Sequence, residues 1–156
     1  MTYAEIIKII AGLSGSLCFG ILFNMHGKKL YASAFGGLMA SVLSLIMETP
    51  VADEPVRYFM ISAIISLYSE IIARILKTPA TPVITTSLIP LIPGGSLYYT
   101  MSYAFESDFN MFVGKASSTL KLASALALGI ILVTTVFRVV TANQCVQRKS
   151  IQHNKS

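Results

Sequence analysis

Five predominantly apolar stretches of about 20 residues follow one another along this chain, separated by short polar segments. They run from about Ile6 to Phe23, Leu30 to Met47, Val56 to Ile75, Pro82 to Ala104 and about Leu120 to Val140. An α-helix rises about 1.5 Å per residue, so about 20 residues match a hydrocarbon layer roughly 30 Å thick. Each stretch therefore reads as a transmembrane helix. The expected fold is all-α: a polytopic membrane protein with five spans over residues 1–142 and a basic tail over 143–156. Composition agrees, since 54% of the 156 residues are hydrophobic, only 12% are charged, and the mean hydropathy is +0.68. A soluble domain carries about twice that share of charge. Disorder, a nucleic-acid-binding module and an ordinary cytosolic enzyme all need more polar surface than this chain has. The first stretch lacks the basic start and small-residue cleavage site of a signal peptide, so it is expected to be retained.

The few charges then report orientation, because Lys and Arg gather on the cytoplasmic side of short loops. Lys28 and Lys29 follow the first span; Glu48, Asp53 and Glu54 oppose Arg57 after the second; Arg74 and Lys77 end the third. Glu106 and Asp108 oppose Lys115 before the fifth span, and Arg138, Arg148, Lys149 and Lys155 follow or close it. Five spans with the N-terminus outside and the C-terminus inside put every basic segment on one face. The net charge of +5 is then an inner-face label and does not point to nucleic acid. Cys18, Cys145, His26 and His153 are isolated, so neither a disulfide nor a metal or other cofactor site is expected.

Small residues recur at four-residue steps: Gly12, Ser16 and Gly20; Gly37 and Ser41; Ala40 and Ser44; Ala125 and Gly129. Lipid tails are as apolar as leucine, so spans associate by close backbone approach at such residues, and these stripes read as packing seams. The fourth stretch is different. Four of the six prolines fall between Pro79 and Pro93, and Gly94 and Gly95 follow. Pro90 and Pro93 remove helical donors near the carbonyls of Thr86 and Ile89, so the helix should break there. A broken backbone at membrane depth survives where it is buried in protein or lines a wet cavity, a hallmark of transporter binding sites. A second half-helix starting near Gly95 would aim the amides of Ser96, Leu97 and Tyr98 at the break, suited to a carboxylate. Pro90, Pro93, Gly94, Gly95, Ser96, Tyr99 and Tyr103 are the candidate substrate-binding residues, the last three sharing one face with Thr100 beside them. A kink used only for packing, with interfacial tyrosines, is the competing reading.

Glu70 and Arg74 lie four residues apart on one helix face. They read either as a proton-coupling pair or as a salt bridge fixing the helix end. Lys8 and Lys121 read as snorkelling side chains. No nucleophile elbow, zinc-protease motif, phosphate loop or paired carboxylates occurs, so the chain is not expected to be an enzyme.

The run Ile89-Pro90-Leu91-Ile92-Pro93-Gly94 followed by Leu97-Tyr98 resembles the proline-glycine signature of the threonine/serine exporter family in its small-subunit form. Phe23-Asn24 with Lys28 and Gly37, and Glu70, Arg74 and Thr78-Pro79, are similar to other parts of that family. The likeness extends over nearly the whole chain, although nothing after Tyr103 carries a family motif. It implies proton-driven export of threonine and serine through the inner cell membrane, in complex with a larger partner subunit. Some relatives export dicarboxylates such as succinate, and a non-transporting membrane scaffold is a further alternative.

Overall fold

The computed structural model describes residues 3–48, 50, 53–106 and 109–153, and its regular structure among these is entirely helical. The helices are α1 (Tyr3–Leu22), α2 (Lys28–Ile46), α3 (Glu54–Ile75), α4 (Ala80–Leu88), α5 (Gly94–Phe105) and α6 (Phe109–His153), with a 3-10 turn over Ile89–Leu91. Helices α1, α2 and α3 and the Phe109–Thr141 part of α6 are long and apolar enough to cross a membrane. Together α4 and α5 make one further crossing, bent by 64°, if the pair is counted as a single span.

Three boundaries differ from the sequence expectation. Lys28 and Lys29 begin α2 instead of sitting in a loop, because Gly27 turns the chain with a φ of 64°. The polar segment expected between Ala104 and Leu120 is mostly helix: α5 ends at Phe105, α6 begins at Phe109, and Lys115 lies on α6. Low hydropathy there says little about backbone conformation, since Ser and Thr on a helix bond back to its own carbonyls, as Thr119 does to Lys115 at 2.9 Å. Finally, α6 continues through the expected tail to His153. Asp108, Lys155 and the side chains of Cys145, Arg148, Lys149 and His153 lie outside the described residues.

Helix directions follow from the facing pairs. Gly12 faces Ser41, Ser16 faces Gly37 and Gly20 faces Leu30 and Ser33, so α1 and α2 are antiparallel. Ser33 bonds Thr86 and Gly36 abuts Ser87, whereas Pro90 reaches the level of Gly12 and Ser41, so α4 runs parallel to α2. Gly129 abuts Ser62 and the Arg74 guanidinium donates to the Phe137 carbonyl, so α3 and α6 share a direction. Glu48 and Glu54 thus lie at one end of the bundle, the acidic end. Lys28, Lys29, Arg74 and Lys77 lie at the other, the basic end.

The expected small-residue seams are where the helices meet. A methyl group added at Gly12 would collide with Ser41, one at Gly37 with Ser16, and one at Gly129 with Ser62 and, at 2.8 Å, the Phe59 carbonyl. Between α2, α3 and α4 an apolar cluster forms from Ala40, Ile61, Ile65, Ile84, Leu88 and Leu91. Every fully buried polar residue among those described is Ser or Thr. Four of the nine return a hydroxyl to their own helix, as with Ser41 to Gly37 at 3.1 Å and Ser62 to Phe59 at 2.9 Å.

Candidate functional site

The break falls where the prolines put it. Pro93 cannot donate to Ile89, and that carbonyl instead accepts the Ile92 N–H at 3.2 Å, tightening the chain into the 3-10 turn. The Gly94 N–H then donates to the Ile92 carbonyl at 2.7 Å and the Leu97 N–H to the Pro93 carbonyl at 3.0 Å. The expectation that the Leu97 amide stays open for a ligand is therefore corrected, because the new helix uses it for its own first bond.

The candidate residues of α5 do not converge on one cavity. Gly94 and Gly95 are exposed. Ser96 and Thr100 turn toward α6, where the Thr119 hydroxyl lies 3.0 Å from Ser96 Oγ and 3.1 Å from Thr100 Oγ1, both within hydrogen-bond distance. Tyr99 is 55% exposed, with its ring edge-to-face against Tyr98. Tyr103 lines a small cleft with Ala104, Phe109 and Phe112. The polar face of α5 is thus divided between a contact with α6 and open surface.

A larger opening lies on the other half of the broken helix. Helices α4 and α6 both pack on α3 and leave between them a groove of about 940 Å³. Thr81, Ile84, Thr85 and Leu88 of α4 form one wall, Leu126, Ile130, Thr134 and Arg138 of α6 the other, and Glu70 and Arg74 of α3 contribute at the basic end. At its far end the groove reaches Ile92 in the break. Thr81 and Thr85 are spaced one helical turn apart, which sets them on one face of α4. Arg74 stands 3.8 Å from the Glu70 carboxylate, donates to the Phe137 carbonyl at 3.4 Å and stacks over the Phe137 ring at 4.9 Å. Two guanidiniums against one carboxylate leave the basic mouth with an excess positive charge. Sequence reading singled out Glu70 and Arg74 but missed Arg138, Thr81, Thr85 and Thr134. The available signal was that the third and fifth spans share a direction and both end on arginine.

A second cavity, of about 480 Å³, opens on the opposite side of the same break. Ile89 and Pro90 line it together with Lys8 of α1, Ser41 and Ser44 of α2, Glu48 just beyond α2 and Tyr58 of α3. Lys8, read from sequence as snorkelling, faces this cavity. Among the described residues no group of three or more His, Cys, Asp or Glu side chains is placed to hold a metal ion.

The chain matches the family described as threonine/serine exporter, ThrE, over residues 8–136. No curated protein and no solved structure matches it. The matched region runs from α1 through most of α6 and includes the broken helix, the second cavity and the groove apart from Arg138 and Thr141, on a scaffold of helices long enough to span a bilayer. With more than four-fifths of its length matched, this multi-pass membrane chain belongs to the threonine/serine exporter family.

Proposed function

We propose that the chain is one subunit of a proton-driven exporter of threonine and serine in the inner cell membrane, completed by a larger partner of the same family. One observation carries the reading: the groove along α4 joins a mouth with two arginines to the break at Ile92. Threading the groove from the basic end, a carboxylate meets Arg74 and Arg138 first, then the hydroxyls of Thr81, Thr85 and Thr134, then the apolar walls below the break. With basic segments inside, that mouth faces the cytoplasm, as export requires. In this reading Glu70, beside Arg74 at the same mouth, either couples export to protons or pairs structurally with Arg74. The larger partner enters this reading through the family resemblance. The positive excess of the groove also suits a dicarboxylate, which keeps succinate-type export as the second reading.

The test is efflux from cells loaded with threonine-containing dipeptides. Deleting the protein should make cells retain threonine, and restoring it with Pro93→Ala and Gly94→Ala together should fail to rescue efflux while the protein remains in the membrane. Normal efflux from the deletion strain, or full rescue by the double variant, overturns the proposal. Glu70→Gln separates coupling from packing: export that no longer responds to the proton gradient assigns coupling to Glu70, and unchanged response makes it the structural partner of Arg74.

A further inference from the structure

We propose that the cavity between α1, α2 and the break is a second binding site, specific for a small zwitterion, in which Lys8 holds the carboxylate and Glu48 the ammonium group. Only its place on a transport path rests on the exporter reading. The recognition chemistry stands on the cavity itself.

The cavity holds one cation and one anion, carried by different helices: Lys8 from the first half of α1 and Glu48 from the turn that closes α2. Among the described residues the two do not form an ion pair with each other, although both face the same space. Opposite charges that line one cavity without meeting are complementary to a ligand whose own opposite charges are separated by a short covalent frame. An α-amino acid has that form. At about 480 Å³ the cavity falls within the usual range for small-molecule sites, roughly 300–1,000 Å³. The hydroxyls of Ser44 and Tyr58 lie in the same lining and suit a hydroxylated side chain. The Ser41 hydroxyl already donates to the Gly37 carbonyl and so retains only acceptor capacity there.

Charge also separates this cavity from the groove across the break. The groove has two arginines for one glutamate, whereas this cavity is balanced. Lys8 and Glu48 are both exposed at the cavity mouth. A dicarboxylate there would set its second carboxylate beside Glu48 with no second cation in the lining, and that like-charge contact disfavours it relative to a zwitterion. The balanced cavity thus discriminates between the two substrate classes that the groove accepts alike. Because Pro90 and Ile89 form part of its lining and Ile92 reaches the groove, the same turn stands between the two sites.

The experiment is equilibrium binding of labelled L-threonine to the full chain in lipid nanodiscs. L-serine should compete at comparable concentration. Threonine methyl ester and N-acetylthreonine, each lacking one charge, should compete at least about tenfold more weakly, and succinate should compete no better than they do. Lys8→Gln and Glu48→Gln should each weaken threonine binding about tenfold, and the exchange of Lys8→Glu with Glu48→Lys should recover part of the loss. No saturable threonine binding, equal competition by succinate or the blocked analogues, or unchanged binding in both single variants overturns the site. The analogue series uses the unsubstituted chain and decides the matter even where a variant fails to fold. Efflux scored in parallel keeps the two proposals apart: threonine export with no such selectivity removes the site and leaves the exporter, and selective binding without export does the reverse.

Discussion

The two halves of the broken helix are held by opposite means. Helix α4 buries Val83, Ile84, Thr86, Ser87 and Leu88, five of its nine residues, between α1, α2 and α3. Helix α5 buries only Thr100 of twelve and leans on α6, where hydroxyls of Ser96, Thr100 and Thr119 meet. One proline turn therefore joins a segment fixed on three sides to a segment fixed on one. In lipid, apolar area adds nothing to helix association, so the difference comes down to how many close backbone approaches each half makes. By that measure α4 belongs to a rigid block and α5 is the half able to move against it.

The comparison breaks most sharply at the seams. Gly37→Leu drives a branched side chain into Ser16 and the Gly12 carbonyl, and overpacking of this kind costs about 1–3 kcal/mol or more. The expected result is a lowered unfolding temperature in detergent and a loss of monodisperse protein; an unchanged profile would mean that the block around α4 is not held there. A smaller effect belongs to α5. Thr119→Val removes the hydroxyl shared by Ser96 and Thr100 and should cost about 1 kcal/mol, the scale of a hydrogen bond between membrane helices. Faster hydrogen exchange confined to α5 is the expected reading, and faster exchange in α4 as well would erase the distinction between the halves. Least of all, Tyr99→Leu on the exposed face of α5 should change stability by no more than about 0.5 kcal/mol. A larger loss would show that Tyr99 is packed in the folded chain.

The break and the seams followed from sequence because each is written in local chemistry: two prolines three residues apart, or small residues every fourth position. The groove and the second cavity are not local. Arg138, Thr81 and Glu70 come together because α4 and α6 share α3 as a floor, and no spacing along the chain encodes that. The place of Lys8 is hidden for a related reason, since a lysine near a helix end looks the same in sequence whether it stands in open water or, as here, exposed at the edge of a cavity. The start of α6 was missed because hydropathy marks the depth of the membrane and not the length of a helix. The apolar part of α6 alone, 33 residues, is about 50 Å long and exceeds a bilayer core by a wide margin.

The buried serines carry a consequence for how such a protein should be surveyed by mutation. Ser16, Ser66 and Ser69 are fully buried with no hydrogen-bond partner for their hydroxyls among the described residues. Exchange for alanine removes one unpartnered oxygen and leaves the backbone approach intact, so an alanine scan would pass over these contacts in silence. At Gly37 and Gly129 the same exchange adds an atom for which there is no room, and at Gly12 one that forces the Ser41 hydroxyl to turn away. Here it is the gain of a carbon, more than the loss of a functional group, that maps where the helices touch.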